Sequence, residues 1–185
     1  MIKIISNFLP QTLFNYLLKI VENENFDWNW NNETIRGDGE WKMGKTLYAY
    51  PGLSSFRQEV YDKELLPLFG VIKDFQDEQL ENKYNLIKLK LNLYPNQGKQ
   101  VKHGIHTDIT SNGKPDRNVI TSVFNFHTCN GYTNIIKDDG SEKNIPSIAN
   151  SIVIFSGFLQ HYGVTQSDTT RRIVLNMNVL KNDSI

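Results

Sequence analysis

The chain has 185 residues and a mass of 21.4 kDa, with 20 Lys+Arg against 20 Asp+Glu and 39% hydrophobic residues. That balance excludes a disordered chain, a basic nucleic-acid coat and an acidic solvating tail, and the length suits one domain over 1–185. The single cysteine, Cys129, has no partner for an internal disulfide and cannot form a thiolate metal site alone, which points to a reducing compartment. Residues 1–10 carry one lysine and end in Pro10, far short of a signal sequence or a membrane span, so the cytoplasm is the expected location and no membrane partner is expected.

In chain order, Ile2, Ile4 and Ile5 mark a short strand, and Pro10 opens a helix with Leu13, Phe14, Leu17, Leu18 and Val21 at helical spacing. Residues 23–32, polar and aromatic by turns, read as a loop or a short edge strand, and 45–50 as a strand. A helical stretch over 54–80 is expected to be divided by Pro67 and Gly70. From Tyr84 the period changes to two: Leu86 to Tyr94 alternates cleanly and stops at the turn Pro95-Asn96-Gln97-Gly98. Further strands are expected at 105–110, 119–127, 132–137, 151–155, 160–164 and 172–180. Their number favours an α+β fold built on a jelly roll (double-stranded β-helix) over an open sheet. Residues 1–83 then supply helical support and a pocket-covering segment, and 84–180 the jelly-roll core.

There are four histidines. His106-Thr107-Asp108 spaces an imidazole and a carboxylate two residues apart, which on a strand is one face. Alone, this pair is weak; His161, directly after the apolar strand Ser151 to Phe155, completes a set. Two histidines and one carboxylate are the ligands of non-haem Fe(II), which leave positions open for a cosubstrate and dioxygen. An anchor for that cosubstrate is offered by Arg171 or Arg172. A guanidinium binds a carboxylate bidentately and keeps its charge when desolvated. Ile173, Leu175, Met177 and Val179 form one apolar face, so Arg172 shares the polar face with Asn176 and Asn178 and is preferred to Arg171. His103 reads as a solvated loop residue, and His127 as the inward end of the central strand. Trp28, Trp30 and Trp41 read as core, or as a cover for the pocket mouth.

With these residues in place, the sequence resembles the Fe(II)- and 2-oxoglutarate-dependent oxygenases, in particular the prolyl-4-hydroxylase-like branch and its small bacteriophage forms, over about 86–180. The resemblance rests on His106, Asp108, His161 and a following arginine. It extends to Tyr94-Pro95-Asn96-Gln97-Gly98, like the family's tyrosine-glycine turn, and to Gly131-Tyr132-Thr133, like its G-x-T segment. It implies a hydroxylase that uses Fe(II), 2-oxoglutarate and O2, with ascorbate as reductant. Tyr94 and Thr133 would then lie beside 2-oxoglutarate, and Asn125 would point inward from the central strand. The expected substrate is a peptidyl-prolyl or amino-acid-like molecule, in the host cytoplasm if the gene is a phage's. Two alternatives stay open: a non-catalytic jelly-roll binding module, and an oxygenase of nucleic acid. The second would use Lys99, Lys102, Lys114 and Arg117, although zero net charge weighs against it.

Overall fold

Strand alternation sorts the side chains of this chain onto two faces, and the computed structural model, which describes residues 1–33, 37–52, 58–111 and 114–181, shows what covers each. The elements run β1 (Ile2–Ser6), α1 (Gln11–Val21), β2 (Asn29–Asn31), β3 (Lys42–Ala49), β4 (Val60–Tyr61), α2 (Leu65–Leu80) and β5 (Tyr84–Pro95). Then come β6 (Thr110–Ser111), β7 (Lys114–Pro115), β8 (Val119–Asn125), β9 (Cys129–Ile136), β10 (Glu142–Ser147), β11 (Ser151–Ser156), β12 (His161–Val164) and β13 (Arg171–Lys181). The major sheet has the order β1-β11-β8-β13-β5-β3-β2, with β4 against β3; the minor sheet has the order β10-β9-β12.

One face of the major sheet is apolar. Leu89, Leu91 and Leu93 of β5, Ile173, Leu175, Met177 and Val179 of β13, and Phe124 of β8 pack under the helices. From α1 come Phe14, Leu17 and Val21, one stripe at helical spacing, and from α2 Phe69 and Ile72. Each such fully buried side chain contributes about 1.5–3 kcal/mol. The other face looks into the space between the sheets, where Tyr94, Val123, Val153, Phe155 and Val174 meet Ile135 and Ile145 of the minor sheet. This is the jelly-roll interior. Its β5 and β13 positions are mostly polar: Lys88, Lys90, Asn92 and Tyr94 on one strand, Arg172, Asn176 and Asn178 on the other.

Four expectations need correction. The helix over Leu65–Leu80 is continuous. Pro67 falls in its first turn, where a backbone N–H has no intrahelical acceptor to lose, and Asp62 Oδ1 accepts from the Leu65 N–H at 2.9 Å. The segment 105–110 is not a strand: His106 forms an isolated bridge with His161, and only Thr110–Ser111 pairs further on. Glu142–Ser147 is a strand that the hydrophobic pattern hides, because this edge exposes four of its six residues and contains Pro146. Finally, the first third does more than supply helices and cover: β1, β2 and β3 extend the major sheet at both edges.

Candidate metal and cosubstrate site

His106 and His161 are brought together by backbone. Each donates its N–H to the other's carbonyl, at 3.0 and 2.9 Å, so their rings face one another with centroids 4.4 Å apart. The ring orientation is fixed from behind. Nδ1 of His106 lies 3.0 Å from the Gly104 carbonyl and Nδ1 of His161 lies 3.3 Å from that of Leu159, so each Nδ1 carries the proton and each Nε2 is left as a bare donor. Burial and the adjacent His161 hold the His106 imidazole at about 4, neutral at physiological pH, which is the form that ligates.

Asp108 turns its carboxylate toward both rings: Oδ1 is 3.8 Å from His106 Nε2 and Oδ2 is 3.6 Å from His161 Nε2. These separations are too long for hydrogen bonds and suit three ligands around a common ion; all the donor atoms lie within 4.8 Å of one another. The carboxylate is held by the sheet beneath it. Asn176 and Asn178 donate to Oδ2 at 3.0 and 3.1 Å, Asn178 also reaches Thr121 Oγ1 at 3.0 Å, and Lys88 Nζ lies 3.8 Å from Oδ1. Burial pushes the Asp108 carboxyl up, but Lys88, the two histidines and the Asn176 amide outweigh it and keep the group ionised well below the usual carboxylate range. Two imidazole nitrogens, an ionised carboxylate and orienting partners behind all three fit a divalent transition-metal ion.

Farther along β13, Arg172 is 2% exposed. Its guanidinium donates to Ser147 Oγ, the Tyr132 and Val164 carbonyls and Thr133 Oγ1, at 3.1–3.3 Å. All four acceptors are neutral, and Ser147 Oγ in turn lies 3.1 Å from Asn125 Oδ1. The Tyr94 ring stands 5.8 Å from the guanidinium carbon. Gly131 packs closely here: a Cβ would meet the Val164 carbonyl at 3.0 Å and Arg172 Cδ at 3.1 Å, so a side chain would press on the arginine stem. Arg172 has no carboxylate partner among the described residues, and a buried cation in that state is costly unless a ligand supplies the anion. A diacid cosubstrate fits.

Several sequence expectations change at this point. Arg171 faces the other way, with its side chain 41% exposed and 3.6 Å from Glu22, so it is removed from the cosubstrate candidates. His103 is buried rather than solvated, its ring 5.2 Å from that of Tyr94 and its Nδ1 3.7 Å from Asp38 Oδ2, with no hydrogen bond to either nitrogen among the described residues. His127 points away from the interior: Nε2 meets Glu22 at 2.9 Å and Nδ1 accepts from the Ile173 N–H at 3.1 Å. Trp28 packs on Phe26 beside the helix-side core, and Trp30 stacks on Trp41 at 4.3 Å. Lys102 and Arg117 lie over the Tyr162 and Phe158 rings, while Lys99 and Lys114 are exposed. The sequence reading missed the inward lysines, Lys42 of β3 and Lys88 and Lys90 of β5.

No protein-family model and no curated protein matches the chain. Solved structures do. A prolyl-4-hydroxylase from Pseudomonas putida aligns with a TM-score of 0.62 and 18% identity over 98% of this chain and 92% of that one. A 2OG-Fe(II) oxygenase family oxidoreductase from Burkholderia pseudomallei gives 0.69 and 10% over 96% and 84%. A prolyl hydroxylase from Trichoplax adhaerens, in complex with a hypoxia inducible factor oxygen degradation domain peptide fragment, gives 0.68 and 15% over 98% and 84%. The fold is that of the 2OG-Fe(II) oxygenases. Among the described residues no helix is long and apolar enough to cross a membrane.

Proposed function

We propose that the chain is an Fe(II)- and 2-oxoglutarate-dependent dioxygenase that hydroxylates a C–H bond of a peptidyl-prolyl or amino-acid-like substrate, with release of succinate and CO2. The observation that carries the reading is the pairing, on one face of β13, of two features that need absent partners. Asn176 and Asn178 hold the carboxylate of a three-donor metal set, and Arg172 is a buried cation without an anion. Fe(II), 2-oxoglutarate and O2 would supply the oxidising chemistry when bound, and ascorbate would serve as the external reductant that keeps the iron as Fe(II).

The residues of the chain bind and orient. His106, Asp108 and His161 would hold the ion with three donors, so that further positions would be open to cosubstrate and dioxygen. Arg172 holds the distal carboxylate of 2-oxoglutarate through charge-assisted hydrogen bonds, with Thr133 Oγ1 fixing Nη2 and the Tyr94 ring closing one wall. Ser147 and Asn125 support Arg172 from below. Burial raises the Tyr94 phenol above its ordinary value, so it faces the cosubstrate as a neutral hydroxyl. Two of the similar structures are prolyl hydroxylases, one with a bound peptide, which supports a peptidyl-prolyl substrate.

The test is succinate release with candidate substrates, with the product identified by mass as heavier by one oxygen atom. Proline-containing peptides or free amino acids are expected to stimulate release more than DNA or RNA oligonucleotides. Stimulation by oligonucleotides alone, falling steeply with salt, would overturn the substrate assignment.

A further inference from the structure

The interior face carries three lysines: Lys88 lies against Asp108 of the metal set, and Lys42 and Lys90 are used by neither the metal nor the cosubstrate site. Lys88 and Lys90 alternate with the buried leucines of β5 and so share the face of Asn92 and Tyr94. Lys90 lies opposite Asn176 in register, beside one of the two amides that hold Asp108. Lys42 opens β3 and is 8% exposed, with Nζ 5.6 Å from the Tyr94 ring on the side opposite the β5–β13 pairing. Neither Lys42 nor Lys90 makes a hydrogen bond or ion pair with a described residue. Lys88 has one carboxylate near it, Asp108, at 3.8 Å, which the metal set claims. Asp38 lies within electrostatic range of Lys42.

The backbone leaves room for one of these amines. Gly44 lies beneath Lys90, and a Cβ there would sit 2.9 Å from Lys90 Cε, so glycine makes the room that the lysine stem occupies. Burial and mutual repulsion lower Lys42 to about 8 and Lys90 to about 7, outweighing the opposing pull of Asp108 on both and of Asp38 on Lys42. An ordinary folding solution would turn such lysines outward or pair them.

We infer that Lys42 and Lys90, with Lys88 beside the metal set, form the subsite for an anionic group of the substrate, a carboxylate or a phosphate. The inference deepens the proposed function and rests on its assignment of the metal and 2-oxoglutarate sites. It narrows the substrate class to molecules carrying such a group near the reacting carbon, as a free amino acid or an acidic-residue peptide does. The lysines are separate from the cosubstrate anchor, since Arg172 already offers a fixed fork on the strand beyond Tyr94.

The test uses Mn(II)-loaded full-length protein saturated with 2-oxoglutarate under anaerobic conditions. Three probes are titrated: N-acetyl-L-proline, its neutral methylamide and inorganic phosphate. Calorimetry reads affinity, and broadening of probe resonances by Mn(II) reads proximity to the metal. One or both anions should bind and broaden without displacing 2-oxoglutarate, the methylamide should bind at least tenfold more weakly than the tighter anion, and the tighter anion identifies the source. Lys42→Met and Lys90→Met should each weaken anion binding at least tenfold while melting temperature and 2-oxoglutarate affinity stay at wild-type values. Gly44→Ala, which keeps every charge but crowds Lys90, should weaken it as well. Equal binding of the methylamide, unchanged affinity in both lysine variants, or loss of 2-oxoglutarate on anion addition would overturn the inference. Failure to retain Mn(II) would instead strike the oxygenase reading, and lysine-dependent phosphate binding by metal-free protein would then still decide the subsite.

Discussion

Arg172 and the inward lysines line the same interior, yet they are held in opposite ways. The guanidinium donates to four neutral acceptors from β9, β10 and β12, and its position is fixed before any ligand arrives. Lys42 and Lys90 have flexible stems and no hydrogen bond or ion pair among the described residues; Gly44 clears space around Lys90 rather than fastening it. A rigid planar fork suits one cosubstrate presented in one geometry in every cycle. Mobile point charges suit a group whose position varies with the substrate. The cosubstrate end is therefore preorganised, and the β3–β5 side is left adjustable.

The largest effect on the fixed region should come from the metal set. His106→Ala, Asp108→Ala and His161→Ala should each remove most of the roughly one equivalent of Fe(II) or Mn(II) that the wild type retains, measured by elemental analysis after gel filtration. Wild-type metal content in all three would place the ion elsewhere. Next, Arg172→Ala should weaken 2-oxoglutarate binding by ~1.5–3 kcal/mol, about 10–150-fold, whereas Arg171→Ala should change little. Anaerobic calorimetry separates the two, and the reverse order would mean that the register of β13 is misassigned. Removal of the amides that hold Asp108, in Asn176→Ala or Asn178→Ala, should lower metal affinity about 10–100-fold without removing a ligand.

A smaller effect tests how tightly this end is closed. Burial and the nearby Lys42 hold His103 at about 4 in the folded chain, against 6.5 for the free imidazole. Between these values the unfolded chain takes up a proton that the folded one refuses, so stability is lost as pH falls from 6.5 toward 4. His103→Phe should flatten that part of the melting-temperature profile of metal-free protein. An unchanged slope would show that His103 is solvated after all.

The two regions also differ in how far the sequence reveals them. His106, Asp108, His161 and Arg172 are legible because their chemistry is specific and the strand period assigns Arg172 a face. The same alternation puts Lys88 and Lys90 on the face of Tyr94, but lysine alternating with leucine ordinarily marks a solvent face, and only the minor sheet turns that face inward. Lys42 was beyond reach for another reason: a segment that pairs with β5 across about forty residues leaves no local trace of its neighbour. The spacing of His106 and Asp108 suggests a strand, but what joins the two histidines is a single bridge between His106 and His161. His103 and His127 exchanged roles because burial there depends on β12 and α1, which the periodicity of their own segments does not register.

The most direct measurement of the central claim is calorimetric titration of 2-oxoglutarate into the protein, with Mn(II) under anaerobic conditions and again after chelation. Binding of one equivalent per chain that is lost or greatly weakened by the chelator, and restored by adding Mn(II) back, is the result predicted for a cosubstrate held between the metal set and Arg172. Binding of equal strength with and without metal, or no binding to metal-loaded protein, would contradict it.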